Sequence, residues 1–506
     1  MMDHQFTSFQ MLITFLLFIF MVLKIWKKCN STTNLPPGPW KLPVIGSIHH
    51  LLDPLTHHRL RDLAKKYGPI MHLQVGEVTT IVMSSPETAK QIMKTHDANF
   101  AQRPFILAVG IVTYDFKDLA FAPYGEYWRQ LRKISTMELL SMKRVQSFRS
   151  IREEEVAKAI KSVNASCSAG SVPINFGRIV TYLTYGIISR AAFGKVWKGE
   201  EEQFVPAIQK LIQASSGFNL ADIYPSIKFL HVISGIRPRL EKLHRGIDVI
   251  LDDVLKEHKA RNAVAKTEEE EDFVDVLLNF QDKGLQFSLT DDSIKAVIMD
   301  VFSAGSETSS TTVEWAMSEL MKNPRVLEKA QAEVRQVFCR KRSINEESLQ
   351  ELNYLKLVIK ETLRLHPPVP LLLPRECRED CVINGYDIPA KSRVMVNVWA
   401  IGRDPNWWID AEKFFPERFL DNAIDYKGNN FEFLSFGAGR RMCPGMSFGV
   451  ANVELPLAML LYHFDWKLPY GLKPENLDMS ECLGAGVRKK EELCLIPIPY
   501  IPLPIN

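Results

Sequence analysis

The sequence predicts a mainly α-helical protein with a minor β component, built as one large domain behind a short apolar N-terminal segment. Apolar residues recur at helical spacing through most of the 506 residues, while strand-like runs are few and short. No change of composition after about Trp40 marks a second domain, and no fixed-period repeat is present. The stretch from Phe9 to Leu23 is apolar apart from Gln10 and Thr14, which suits lipid better than a core.

Composition narrows the class. Hydrophobic residues make up 46% and charged residues 24%, an ordinary globular balance. A net charge of +3 over this length argues against a nucleic-acid-binding protein. The eight cysteines show no C-x-x-C pair, and a chain this long needs no disulfide framework. Free thiols in a reducing compartment are expected, and zinc is not.

The N-terminal run continues through Ile25 and Trp26, near the short end of the roughly 17–25 residues that cross a bilayer. Lys24, Lys27 and Lys28 lie on its C-terminal side, which places the rest of the chain in the cytosol. A cleaved signal peptide would want positive charge before the run and a small-residue site after it, and neither is present. Residues 1–26 are therefore expected to be a membrane anchor. Residues 27–40 follow as a basic, proline-rich hinge ending in Leu35-Pro36-Pro37-Gly38-Pro39, stiff because proline cannot continue a helix. Residues 41–506 are left as the catalytic domain.

Within that domain strands are expected at Ile70–Val75, Thr79–Met83 and Val394–Val398. The charge run from Thr267 to Asp272 reads as a solvated loop. The clearest helix starts near Thr290, which can cap it, with Asp291 and Asp292 at the positive end of the dipole. Ile294, Val297, Ile298, Val301 and Phe302 then fall on one face, and the pattern runs to about Lys322, before Pro324. The apolar run from Val450 to Leu461 reads as another helix.

The segment Phe436-Gly437-Ala438-Gly439-Arg440-Arg441-Met442-Cys443-Pro444-Gly445 carries chemistry. A cysteine thiolate can ligate haem iron and push electron density in the sense that favours O–O cleavage. Gly439 and Gly445 allow the backbone close to the sulfur, and Arg441 offers a fixed cation to a haem carboxylate. A buried structural cysteine is the alternative for a lone residue. Here the spacing F-x-x-G-x-R-x-C-x-G is complete, and in this the sequence resembles the cytochrome P450 family.

Further segments share the resemblance. Glu361-Thr362-Leu363-Arg364 places opposite charges one turn apart on a helix, and Pro416-Glu417-Arg418-Phe419 adds a second arginine. The resemblance implies that Glu361, Arg364 and Arg418 lock together behind the haem. Ala304-Gly305-Ser306-Glu307-Thr308-Ser309 resembles the family's oxygen-activation motif. Gly305 would leave space on the distal side, Thr308 would offer a hydroxyl, and Glu307 would relay protons through water. Many family members have aspartate at the position of Glu307. The bland alternative is serine and threonine hydroxyls bonding back to their own helix. By resemblance Trp128, Arg132, Arg375 and Arg441 reach the haem carboxylates, several cations around two anions. Arg129 and Lys133 project elsewhere on the helix of Trp128, toward an acidic electron donor or toward solvent.

The resemblance runs from the anchor nearly to the C-terminus. The proline hinge, Lys360 to Pro368 and Phe436 to Arg441 look like the large plant A-type microsomal group. Among its members the chain is most similar to terpenoid oxidases, including diterpene oxidases of the casbene pathway. What this implies is a single P450 fold with an N-terminal transmembrane helix, haem b held by Cys443, and O2 as cosubstrate. Electrons come from NADPH through a separate NADPH-cytochrome P450 reductase, because the chain has no convincing nucleotide-binding fingerprint. The catalytic unit is expected to be monomeric, on the cytosolic face of the endoplasmic reticulum membrane. Substrate-pocket candidates are Phe105, Ile106, Leu107, Val301, Ala304, Val369, Leu371 and Ala485, a set suited to a hydrophobic small molecule held by shape. Apolar residues are core by default, so each could equally be packing. Alternative readings are oxidation of an alkaloid or phenolic substrate, a haem-thiolate isomerase or dehydratase, and a non-catalytic haem sensor. Retention of Glu307 and Thr308 speaks against the last two.

Overall fold

The computed structural model describes residues 33–167, 172–195, 204–215, 219–227, 229–230, 235–261, 271–282, 289–341, 345–484 and 486–500. The expected anchor over 1–26, the start of the hinge and Ala485 lie outside them. Among the described residues no helix is long and apolar enough to cross a membrane.

The long helix spans Asp291–Lys322, 32 residues, or about 48 Å at 1.5 Å per residue. Its start is set as the residues suggest, with Thr290 Oγ1 accepting from the Ser293 backbone N–H at 3.2 Å. It packs against the helices Phe176–Phe193, Met446–His463 and Asn353–Leu365. Covered on most sides, it holds several of its charged residues in ion pairs. Lys295 is buried and donates to Asp248 and Asp252 at 2.6 and 2.9 Å.

Beside the helices lies a four-stranded sheet in the order Ile70–Val75, Val78–Met83, Arg393–Val396, Arg375–Glu376. The first pair is antiparallel with Ile70 opposite Met83, the second parallel with Thr80 opposite Arg393, and the third antiparallel with Arg375 opposite Val394. The strand expected over Val394–Val398 stops at Val396. Asn397 accepts from the Ala400 N–H at 3.0 Å and caps the short helix Val398–Ile401.

The proline-rich hinge is docked along the first strand. The Pro37 carbonyl accepts from the His72 N–H at 2.9 Å. A Cβ on Gly38 would lie 1.9 Å from the His72 carbonyl oxygen, so only glycine fits there. A second correction concerns Asp272, at the end of the supposed solvated charge run. It is buried, accepts from the Asp275 N–H at 2.9 Å, and faces His258 Nε2 at 2.9 Å, because it caps the helix Phe273–Asp282.

Candidate active site

The loop before the helix Met446–His463 is closed by the Cys443 N–H donating to the Phe436 carbonyl at 3.0 Å. Gly437 and Gly439 have φ of +69° and +70°, a region costly for side-chain-bearing residues. A Cβ on Gly439 would sit 2.2 Å from the Met93 carbonyl oxygen. Gly439 therefore serves an approach to the Met93–Asp97 segment and not, as its spacing suggests, an approach to the sulfur. A Cβ on Gly445 would meet nothing within 4 Å, so this glycine is not required for a close approach either, although the hydrogen bond from its backbone N–H favours the Cys443 thiolate. Burial pushes the Cys443 thiol up, while that bond and the Arg132 guanidinium pull it back down. Cys443 as a residue is nevertheless exposed by area, although protein surrounds it, so it faces an interior space.

The central helix carries the residues expected across from the sulfur. Between buried Phe302 and buried Ser306, Ala304 is exposed. Gly305 is not what opens the space: a Cβ there would meet Ile188 Cδ1 at 2.8 Å, so this glycine admits the neighbouring helix. Thr308 is half-buried, and its hydroxyl donates back to the Ala304 carbonyl at 2.6 Å. Ser306 does the same to Phe302 at 2.6 Å. Glu307 is buried and ion-paired with Arg488, whose Nε lies 2.8 Å from Oε1.

A cluster of arginines lies on the loop side. Arg441 stacks on Trp128 at 4.1 Å and donates to the Ala101 and Ala122 carbonyls at 2.8 and 2.6 Å. Trp128 Nε1 donates to the Leu119 carbonyl at 3.0 Å. Arg375 donates to the Ala438 carbonyl at 3.0 Å and lies 3.5 Å from Asp97. Arg103, which sequence reading passed over, donates to the Ala120, Leu373 and Pro374 carbonyls. The Arg132 side chain alone in this set has no hydrogen bond among the described residues. Burial lowers Arg441 to about 9, helped by Arg375, and lowers Arg375 to about 10 against Asp97. Arg103 is held well below its ordinary value by burial and by both neighbours. So much enclosed positive charge asks for an anion. The two carboxylates of a haem fit that need, beside a cysteine thiolate and a facing small residue.

Asp118 and Asp300 form a buried carboxyl pair that the sequence also hid. Asp300 accepts from the Leu119 and Ala120 N–H groups at 2.7 and 3.0 Å, tying the loop of Asp118 to the central helix. Burial raises Asp118 to about 6, and burial together with Asp118 raises Asp300 well above the carboxylate range, so the pair retains a proton.

Glu361 and Arg364 are wholly buried, with Arg364 donating to Glu361 at 2.8 and 2.7 Å and to the Ala411 carbonyl at 2.7 Å. Arg418 Nε joins Glu361 at 2.9 Å. The pocket candidates are more scattered. Phe105 is exposed, its ring 5.3 Å from Phe116. Ile106, Val301, Val369 and Leu371 are half-buried. Leu107 is buried, and Leu371 packs on the apolar side of the sheet with Leu73 and Val82. No local pattern could have signalled Arg103 or Arg488, whose roles come from contacts between distant segments.

Comparison with known proteins identifies the family. The cytochrome P450 family model matches residues 36–495. Premnaspirodiene oxygenase of Hyoscyamus muticus is 54% identical over 503 residues, covering 98% of this chain and 99% of the relative. Tabersonine 16-hydroxylase 2 of Catharanthus roseus is 55% identical over 497 residues, 96% of each chain. Among solved structures, a zebrafish cytochrome P450 with abiraterone superposes with a TM-score of 0.73 at 25% identity, over 88% of this chain and 100% of that one. Matched over residues 36–495 by the family model and over almost its whole length by these relatives, this chain is a member of the cytochrome P450 family, a haem-thiolate monooxygenase that uses O2 and electrons from a reductase.

Proposed function

We propose that the protein oxidises a terpenoid, with a diterpene favoured, at the endoplasmic reticulum membrane. Residues 1–26 anchor it there, 27–40 form the hinge, and 41–506 form a monomeric catalytic unit facing the cytosol. Its electron donor is an NADPH-cytochrome P450 reductase. The observation that carries the substrate reading is the character of the candidate wall. Phe105, Ile106, Val301, Ala304 and Val369 offer apolar surface with no charged side chain among them. Similarity to an oxygenase named for a diene adds support.

A haem held here would supply the O2 chemistry, in which, with two electrons from the reductase and two protons, one oxygen atom enters the substrate and the other leaves as water. Cys443 would supply the sulfur ligand, and the Gly445 N–H would tune its basicity. Arg132, Arg375 and Arg441, with Trp128, would hold the two carboxylates. Glu307, ion-paired with Arg488, takes a proton from water at its other oxygen and passes it inward. Thr308 has to release the Ala304 carbonyl for its hydroxyl to join that chain. The apolar wall excludes bulk water and positions the carbon to be oxidised by shape.

An alkaloid substrate is the second reading, because the tabersonine 16-hydroxylase is as similar as the premnaspirodiene oxygenase. One experiment separates them. Microsomes containing the protein and a plant reductase are given NADPH with mono-, sesqui- and diterpene hydrocarbons and with tabersonine. An NADPH-dependent product heavier by oxygen from a diterpene supports the favoured reading. Conversion of tabersonine alone sinks the terpenoid assignment.

A further inference from the structure

The acid of the central helix is held by a residue outside every motif that marks the site. Arg488 approaches Glu307 with Nε and Nη2, and both donors fall on the one oxygen Oε1. Oε2 has no protein donor among the described residues. A carboxylate taken out of water needs a partner to stay ionised, and here it has one on one oxygen only. The other oxygen is left for water.

Arg488 is itself placed by firm contacts. It lies on the strand Val487–Lys489, antiparallel to Glu481–Leu483, with Arg488 opposite Cys482. The preceding residue is pinned on both sides: the Val487 N–H donates to the Pro368 carbonyl at 2.9 Å, and its carbonyl accepts from Trp315 Nε1 at 3.1 Å. Trp315 belongs to the same helix as Glu307. Pro368 immediately precedes the wall residue Val369. At the strand opposite, Glu481 accepts from His57 and His58 at 2.7 Å each and from Trp399 Nε1 at 3.1 Å. The guanidinium thus reaches Glu307 from a hairpin fixed to the central helix, to Pro368 and to the helix Thr56–Tyr67. Its own side chain is 46% exposed while that of Glu307 is 7% exposed, so the ion pair connects a buried carboxylate with water.

From this we infer that Arg488 is the positioning residue for proton delivery: it keeps Glu307 oriented with Oε1 occupied and Oε2 open to take a proton from water and pass it inward. No bond forms or breaks at Arg488. It acts through Glu307, so this inference rests on the reading of Glu307 as the proton carrier. The groups facing the pair are Tyr185 on the helix Phe176–Phe193, and Glu314 two turns further along the central helix.

The test uses the haem-loaded protein with its reductase, as wild type, Arg488→Leu, Arg488→Lys, Glu307→Gln and the double variant Glu307→Gln/Arg488→Leu. Product formed per NADPH consumed, hydrogen peroxide released, the solvent isotope effect, and the substrate Kd from substrate-induced absorbance change are measured on each. The reduced carbon monoxide spectrum verifies the haem-thiolate centre of each variant. Arg488→Leu should lower product per NADPH about tenfold, a fraction of what a positioned acid contributes, with peroxide rising and Kd unchanged. Arg488→Lys should restore most of it, and Arg488→Leu should add nothing once Glu307 is Gln. Wild-type coupling in Arg488→Leu, beside a loss in Glu307→Gln, overturns the inference. A change confined to Kd overturns it too, by making Arg488 a substrate contact. Normal coupling in Glu307→Gln instead overturns the reading of Glu307 on which the inference stands.

Discussion

Arg364 and Glu361 meet through two hydrogen bonds of 2.8 and 2.7 Å at a point from which solvent is excluded. The fork of the guanidinium matches the carboxylate, and its remaining donors reach the Gly402, Ala411 and Lys413 carbonyls at 2.5, 2.7 and 3.1 Å. Removing one partner leaves the other charged, buried and alone. Arg364→Ala should cost about 3–5 kcal/mol, read as a lower denaturant midpoint together with loss of haem content. Arg364→Lys should rescue little, since an ammonium cannot span the same acceptors. Wild-type stability in either variant would remove this pair from the account.

Cys443→Ser tests the ligand itself. The variant should fold, because the loop is closed by backbone bonds such as Cys443 N–H to the Phe436 carbonyl. It should lose the thiolate band in the reduced carbon monoxide spectrum. A retained band would point to another of the chain's cysteines.

The Asp118–Asp300 pair makes a prediction about pH. Both carboxyls are raised in the folded protein, Asp118 from 3.8 to about 6 by burial and Asp300 further by burial and by Asp118. The folded state therefore binds more protons than the unfolded state across this window. Stability falls as pH rises from about 4 through 6 and beyond. Arg103 and Arg441, which face Asp118, oppose the shift without cancelling it. Asp300→Asn keeps an acceptor for the Leu119 and Ala120 N–H groups and removes the charge. It should gain roughly 2 kcal/mol over wild type at pH 8 and little at pH 4, as measured by urea unfolding at both values. An equal effect at the two pH values would show that the pair does not share a proton.

How much of this was legible follows from where each contact lies along the chain. The thiolate loop and the Glu361–Arg364 pair occupy short segments in which spacing itself encodes geometry. The central helix announces its cap and its apolar face in the same way. Glu307 and Arg488 are 181 residues apart, and nothing near Arg488 hints at a buried partner. Gly305 looked like an opening over the active site, but a helical pattern alone does not say which neighbour a bare face receives. Here the neighbour is Ile188. Asp272 failed for a related reason: an acid at the end of a charge run looks solvated until the helix that it caps is seen.

The clamp at Glu481 gives a further prediction. Burial pushes this carboxyl up, yet hydrogen bonds from His57 and His58 hold it below the ordinary carboxylate range. Glu481→Ala orphans His57 Nε2 and Trp399 Nε1, each worth about 1–3 kcal/mol when buried and unpaired. The hairpin Glu481–Lys489 should then exchange its amide hydrogens faster, and product composition should broaden as Arg488 and the wall lose their support. Unaltered exchange across the hairpin would mean that its position is set elsewhere.

That clamp joins residues 424 positions apart. At about 5–20 residues per second of synthesis, roughly 20–80 s separate the emergence of the histidines from that of their acid. For that interval the helix Thr56–Tyr67 carries two imidazoles whose shared acceptor does not yet exist, and the interior lacks its last strands. Closing this protein is thus an event of its final strands, and a ribosome that stalls late releases a molecule whose motifs are all present and whose interior stands open.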